Sequence, residues 1–172
     1  MDKIKGEADC FPFFISHCRR VVLRFAVDRV NNGFMAKATL TRPDHLRLVE
    51  YSLPGCWTVL VGRTDADNDY LSLTVARPDD WWFHVRGVPG GHVILQGPPG
   101  EEPSRETLKR AAAIAAYHSK ARRAGLVAVS CTRARYVTKP LRAKIGTVQI
   151  RKEVVLKVRP AAGEALAKHE NE

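Results

Sequence analysis

From Tyr51 onward short apolar runs alternate with breaks rich in glycine and proline, whereas residues 1 to 48 mix charged and apolar positions without a clean period. Trp57-Thr58-Val59-Leu60-Val61 reads as a strand by composition, closed by Gly62-Arg63. Asp67-Asn68-Asp69 then offers helix N-caps. Leu71, Leu73 and Val75 alternate like a strand, while Leu71 and Val75 also share a helical face, so the local pattern leaves both open. Trp82 to Val85 and His92 to Gln96 are extended, joined through Pro89-Gly90-Gly91, and Gly97-Pro98-Pro99-Gly100 breaks the chain again.

The clearest element is a helix over about 104–124. Ser104 supplies the cap, Glu106 complements the dipole in the first turn, and Gly125 follows Arg122-Arg123 as a stop. Leu108, Ala111, Ala112, Ala115 and Ala116 make one face of mostly small residues, which lets such a helix lie close to a sheet. Leu126 to Cys131, Thr147 to Ile150 and Val154 to Val158 read as strands, the last two joined as a hairpin at Arg151-Lys152-Glu153. The expectation is an α+β fold, a mixed β-sheet with one dominant helix packed on it. Residues 49–160 form the expected domain, residues 1–48 an extension, and residues 161–172 a polar tail.

The 172 residues carry a formal net charge of +10, with a pI near 9.8. A surface of that kind attracts nucleic acid or anionic membrane. Membrane is the weaker partner, because no apolar stretch reaches the roughly 18 residues of a spanning helix. Phe11 to Val30, the most apolar early segment, is broken by His17, Arg19, Arg20, Arg24, Asp28 and Arg29. Cys10, Cys18, Cys56 and Cys131 form no C-x-x-C pair and no metal-ligand spacing, which fits reduced thiols in a cytoplasmic protein.

Charge is unevenly spread. Between Arg105 and Arg159 the chain holds fifteen lysines and arginines against Glu106 and Glu153 alone. An excess of one sign repels itself unless a polyanion relieves it. Within Thr132 to Lys144, Arg133 and Arg135 alternate as they would along one side of an extended stretch, placed to grip successive phosphates, and Lys139 and Lys144 bracket a turn. The run Asp79 to Ile94 is unusual in another way, because it packs three adjacent aromatics, two histidines and an arginine around a turn. On a strand Trp82 and His84 face one side, and Trp81, Phe83 and Val85 the other; one side is core and the other is free to stack on bases. His84, His92 and His118 are conceivable metal ligands, although isolated histidines are more often hydrogen-bonded structural residues. Cys131 or Ser119 with His84 or His118 shows no nucleophile elbow, and no G-x-G-x-x-G or P-loop pattern calls for a nucleotide cofactor.

Taken in order, Val61-Gly62-Arg63, Asn68-Asp69 with Leu71, Asp79 to His84, Pro89-Gly90-Gly91-His92-Val93, Ala115-Ala116-Tyr117-His118-Ser119-Lys120-Ala121-Arg122, Val137-Thr138-Lys139-Pro140 and Ala143-Lys144-Ile145-Gly146 resemble the NFACT RNA-binding domain. That module closes the large factors of ribosome-associated quality control and their fibronectin-binding-protein relatives. The resemblance covers about Val49 to Pro160. It implies an RNA-binding module with tRNA or large-subunit rRNA as ligand, and it turns the open stretch 68–76 into a short helix. Three positions depart from the family pattern: Gly91 stands for serine, Cys131 for an aromatic and Ile145 for proline. The chain has no room for the other domains of full-length members, so a stand-alone module is expected.

The resemblance assigns phosphate contact to Arg63, Arg86, Lys120, Arg122, Lys139 and Lys144, to which the basic segment adds Arg133, Arg135 and Arg142. It assigns a pocket or its scaffold to Trp82, His84, Gly90, His92, Tyr117 and Ser119, with Asp80 fixing the Trp82 to His84 segment or an arginine. The reading is an RNA binder without catalysis, cofactor or metal, linked to translation through tRNA, rRNA or the large ribosomal subunit. Its rivals are an enzyme that processes or modifies RNA through His84, His92 and Ser119, and a protein-interaction module whose basic face meets an acidic partner.

Overall fold

The computed structural model describes residues 46–161; the expected extension up to residue 45 and the tail beyond residue 161, with Cys10 and Cys18, lie outside the described residues. Six strands form one sheet in the order β1-β2-β4-β3-β5-β8, built from Leu48–Leu53 (β1), Trp57–Gly62 (β2), Trp81–Val85 (β3), Val93–Gln96 (β4), Val127–Arg133 (β5) and Val154–Val158 (β8). The α+β class holds, and the sheet, expected as mixed, is antiparallel at every pairing.

Alternation along the strands divides the side chains between two layers, as pleating requires. Val59, Val61, Phe83, Val85, Val93, Leu95, Val129 and Cys131 meet helix α2, Arg105–Tyr117, on one face. Ala111 to Ala116 are all buried there, and their small side chains bring the helix backbone close to the sheet. On the opposite face Leu60, Trp82 and Ile94 pack with Leu71 and Val137. Both faces are therefore covered near the centre of the sheet, and Trp82, 2% exposed, is no open platform for bases.

The second layer owes its shape to helix α1, Asp65–Tyr70, which continues as a π-helical turn over Leu71–Val75. Its cap is Thr64 rather than the expected Asp67 to Asp69. Asp67 N donates to Thr64 Oγ1 at 3.1 Å while Asp67 Oδ2 accepts from Thr64 N at 2.9 Å, a reciprocal capping box. Two further short strands, β6 (Val137–Thr138) and β7 (Gln149–Ile150), pair with each other. The expected hairpin between Thr147 to Ile150 and Val154 to Val158 is thus corrected: β7 takes β6, and β8 takes β5. Lys152, with φ 52°, turns the chain between the two sheets.

Helix α2 starts as expected, with Thr107 N donating to Ser104 Oγ at 3.0 Å, but it ends at Tyr117 instead of near Ala124. The cause lies outside the helix. Gly91 N donates to His118 O and Lys120 N to Pro89 O, both at 3.0 Å, so the β3–β4 loop captures the backbone that would have continued the helical ladder. Ser119 Oγ donates to Ala116 O at 2.7 Å and closes the end. Arg122 consequently sits on a turn beyond the helix.

Candidate nucleic-acid interface

The captured end of α2 creates the most distinctive surface of the molecule. Two glycines make the capture possible: a Cβ on Gly91 would stand 2.4 Å from the Gly62 carbonyl oxygen, and one on Gly90 would stand 2.8 Å from Ser119 Cβ. Gly90 and Ser119 also form an isolated antiparallel bridge. Between this wall, β1 and the start of α1 lies an open groove of about 730 Å³, lined among others by Tyr51, Arg63, Asp65, Tyr117, His118, Lys120 and Arg122.

Arg63, Lys120 and Arg122 are exposed, and among the described residues their side chains have no hydrogen-bond or ion-pair partner. Asp65 is the one carboxylate in the lining. Between the cations lies a row of rings. Tyr51 Oη and His118 Nε2 share a hydrogen bond of 2.7 Å, and Tyr117 meets His118 edge to face at 5.3 Å. Burial, helped by the Arg63 charge, lowers the His118 pKa below its ordinary value, so at neutral pH the ring is an uncharged member of the groove. Exposed, unpaired cations beside flat polar rings are groups chemically suited to phosphate contact and base stacking together.

Of the residues singled out in the sequence, Arg63, Gly90, Tyr117, Ser119, Lys120 and Arg122 meet in this groove. The remaining expected contacts do not join them. Arg86 lies 3.3 Å from Glu153. Arg133 and Arg135 are not presented side by side, because β5 ends at Arg133 and Ala134–Tyr136 form a 3₁₀ turn. Arg133 donates to Asp79 O and Glu102 and lies over the Trp81 ring, its Cζ 4.3 Å from the centroid. Arg135 pairs with Asp79 and donates to Pro78 O. Lys139 Nζ donates to Asp69 Oδ2 at 2.7 Å and to Lys144 O at 2.5 Å. Arg142 and Lys144 remain exposed on the loop that follows.

Trp82, Ser72 and His92 make a buried polar layer, with the half-buried His84 beside it. Trp82 Nε1 donates to Ser72 Oγ at 2.9 Å, and Ser72 Oγ meets His92 Nδ1 at 2.8 Å. His92 N donates to Asn68 Oδ1 at 2.8 Å. His84 does face His92, with ring centroids 5.5 Å apart. Burial, followed by the neighbouring His84, pushes the His92 pKa down to about 4, and burial lowers that of His84. Asp80 Oδ2 accepts from Arg77 N at 2.8 Å and from Gln96 Nε2 at 2.7 Å, pinning the turn that launches β3.

His118 bonds Tyr51 and does not join the other two histidines, and no group of three His, Cys, Asp or Glu side chains with metal-binding geometry exists among the described residues. The Ser119 hydroxyl donates to Ala116 O and accepts from Ala121 N, so no histidine activates it. Burial pushes the Cys131 thiol up to about 11, and its Sγ faces Val154 O at 3.2 Å. Tyr51 and His118 were missed as groove residues. Tyr51 carries no local signal, since only the β1–β2 register puts it there; His118 sits inside the Tyr117 to Arg122 run, where the sequence suggests only a metal ligand or a base for Ser119 or Cys131.

Comparison with known proteins places the chain in a family. The family described as the NFACT protein RNA binding domain matches residues 50–152. A Bacillus subtilis (strain 168) protein named Rqc2 homolog RqcH is 38% identical over 121 residues, 70% of this chain and 21% of that protein. Its namesake in Streptococcus suis (strain 05ZYH33) is 38% identical over 102 residues, 59% of this chain and 18% of the relative. The chain thus spans about a fifth of the length of these relatives. Among solved structures, the C-terminal of the fibronectin/fibrinogen-binding protein from Streptococcus suis superposes with a TM-score of 0.64 at 30% identity, covering 76% of this chain and 51% of that one. Matched over residues 50–152, the chain belongs to the NFACT RNA-binding domain family.

Proposed function

We propose that the groove at the end of α2 binds folded RNA of the translation machinery, tRNA or large-subunit rRNA, as part of ribosome-associated quality control. The observation that carries this reading is the convergence of Arg63, Lys120 and Arg122, unpaired, on a groove that also presents Tyr51, Tyr117 and His118. The three cations take the phosphates and release their counterions, which supplies affinity without reading sequence. The rings then receive a splayed base or ribose, the usual route to specificity on RNA. No step in this scheme needs a nucleophile or a metal.

Crosslinking the protein to RNA in cells and sequencing the bound RNA tests the reading. Enrichment of tRNA, or of defined positions in large-subunit rRNA, is the expected result. A flat profile across the transcriptome would reduce the groove to a generic polyanion site. Turnover of bound RNA that an H84A variant abolishes without weakening binding would restore the enzymatic alternative.

A further inference from the structure

The loop from Lys139 to Gly146 is built in a way that phosphate gripping alone does not explain. Ala143 N donates to Pro140 O and Thr147 N to Lys144 O, both at 3.1 Å, which makes two consecutive tight turns. The third residue of each turn is left-handed, Arg142 with φ 63° and Gly146 with φ 82°. Glycine is the ordinary occupant of that corner, and an arginine there is held under backbone strain, a condition that clusters at working sites. The second residue of each turn is a bare aliphatic: Leu141 is 92% exposed and Ile145 66% exposed.

The loop is braced as well as exposed. Lys139 ties its two limbs together by donating to Lys144 O, and ties them to α1 by donating to Asp69. Gly146 lies directly against Asp65, where a Cβ would stand 2.8 Å from Asp65 Cβ, and Asp65 lines the groove. The loop therefore continues the groove across α1. With Lys139 occupied by Asp69, its outward chemistry is two aliphatic side chains and the cations Arg142 and Lys144, with no carboxylate between residues 139 and 146.

We infer that this loop is a second RNA contact that distinguishes folded from unstructured RNA, with Leu141 and Ile145 laid against the shallow minor groove of a helical segment while Arg142 and Lys144 hold the flanking phosphates. The inference rests on the groove being an RNA site. The chemistry is that of an apolar ridge flanked by cations, which fits the wide, shallow minor groove of an A-form helix and finds no such groove on a flexible single strand.

Binding of the full chain to unfractionated tRNA, deproteinised large-subunit rRNA and poly(U) provides the test. The double variant Leu141→Ser with Ile145→Ser is expected to lose roughly fivefold to tenfold in affinity for a folded probe, to keep its affinity for poly(U), and to keep its salt slope because no cation has gone. Arg142→Gly guards against misfolding as an explanation: it relieves the left-handed corner, so thermal stability rises while affinity for folded RNA and the salt slope both fall. Unchanged affinity of the double variant for both folded probes, or an equal loss on all three, overturns the inference and leaves the groove reading standing. Intact RNA binding with lost cosedimentation with ribosomes assigns the loop to a protein neighbour and also overturns it. A parent chain that binds none of the three probes sinks the groove reading itself.

Discussion

The two ends of the sheet carry the same residue types and put them to different use. At the end where β1 begins and β2 finishes, Arg63, Lys120 and Arg122 face a groove with no partner among the described residues. At the other end, where β5 finishes, Arg133 and Arg135 are consumed by Asp79, Glu102 and the backbone of the 78–79 turn. That end also has a concavity, about 290 Å³ between Trp57, Asp80, Pro98 and Arg133, but its lining includes Asp79, Asp80, Glu101 and Glu102 and offers a polyanion no net attraction. A count of cations along the chain therefore says little about where RNA sits. What matters is which cations the fold leaves unneutralised.

The largest expected effect breaks the comparison outright. Replacing Arg63, Lys120 and Arg122 together by alanine lowers RNA affinity by about 100-fold or more at 100 mM salt and flattens the salt slope by about two to three, with the melting temperature unchanged. Replacing Arg133 and Arg135 instead leaves affinity within about threefold and lowers the melting temperature, through the lost cap over Trp81 and exposed ion pairs of about 0–1 kcal/mol each. Fluorescence anisotropy across a salt series with thermal melts on the same variants decides it; exchanged phenotypes would place the interface at the wrong end.

Next in size is acid. His92 is neutral when folded, with a pKa of about 4 against an ordinary 6.5. Because the unfolded chain takes up the proton first, stability is full above pH 6.5 and is lost as pH falls from 6.5 toward 4, by up to about 3 kcal/mol. Urea denaturation at pH 7.5, 5.5 and 4.5 measures this, and a flat profile would mean that the buried layer of His92, Ser72 and Trp82 opens without cost. Gly91→Ala sharpens the groove side of the comparison: its Cβ would stand 2.4 Å from the Gly62 carbonyl oxygen and 3.2 Å from Val61 Cγ1, so the α2 capture loosens at a cost of about 1–3 kcal/mol, seen as a lower urea midpoint and weaker RNA binding together. The smallest effect is electrostatic. Arg63→Ala raises the His118 pKa toward its ordinary value by removing one of its two depressing influences, which an NMR titration of the imidazole resolves.

The alternation of Trp81 to Val85 separated the side chains of the two sheet faces from sequence alone, but the face of Trp82, expected to be free for stacking, is packed by Leu71 and Val137 from elsewhere in the chain. The cap at Ser104 was legible too, since its bond runs to Thr107, three residues away. Failures came wherever the deciding contact was distant. Arg122-Arg123 and Gly125 look like the last turn and stop of a helix, but Pro89 and Gly91 end it seven residues sooner, and no local pattern carries that information. The β7 pairing failed likewise: Arg151-Lys152-Glu153 resembles a hairpin turn, while Val137 offered β7 a partner from much earlier in the chain. In the site, motif order pointed to Arg63, Arg86, Lys120, Arg122, Lys139 and Lys144 alike, and of these Arg63, Lys120 and Arg122 line the groove; the acids that pair with Arg133, Arg135 and Lys139 lie 31 to 70 positions away, where no local motif shows them.

The strand order has a mechanical consequence. β1 and β8 are the two edges of the sheet, and the start of β1 at Leu48 and the finish of β8 at Val158 both lie at the groove end. Tension applied between residues 46 and 161 pulls across the strands, so the terminal ladders open one hydrogen bond at a time, like a zip, where a sheared sheet would have to break many at once. An optical-tweezers trace should show rupture at low force. Such a pull would peel the edges, β1 with Tyr51 among them, and open the groove before the central strands feel any load.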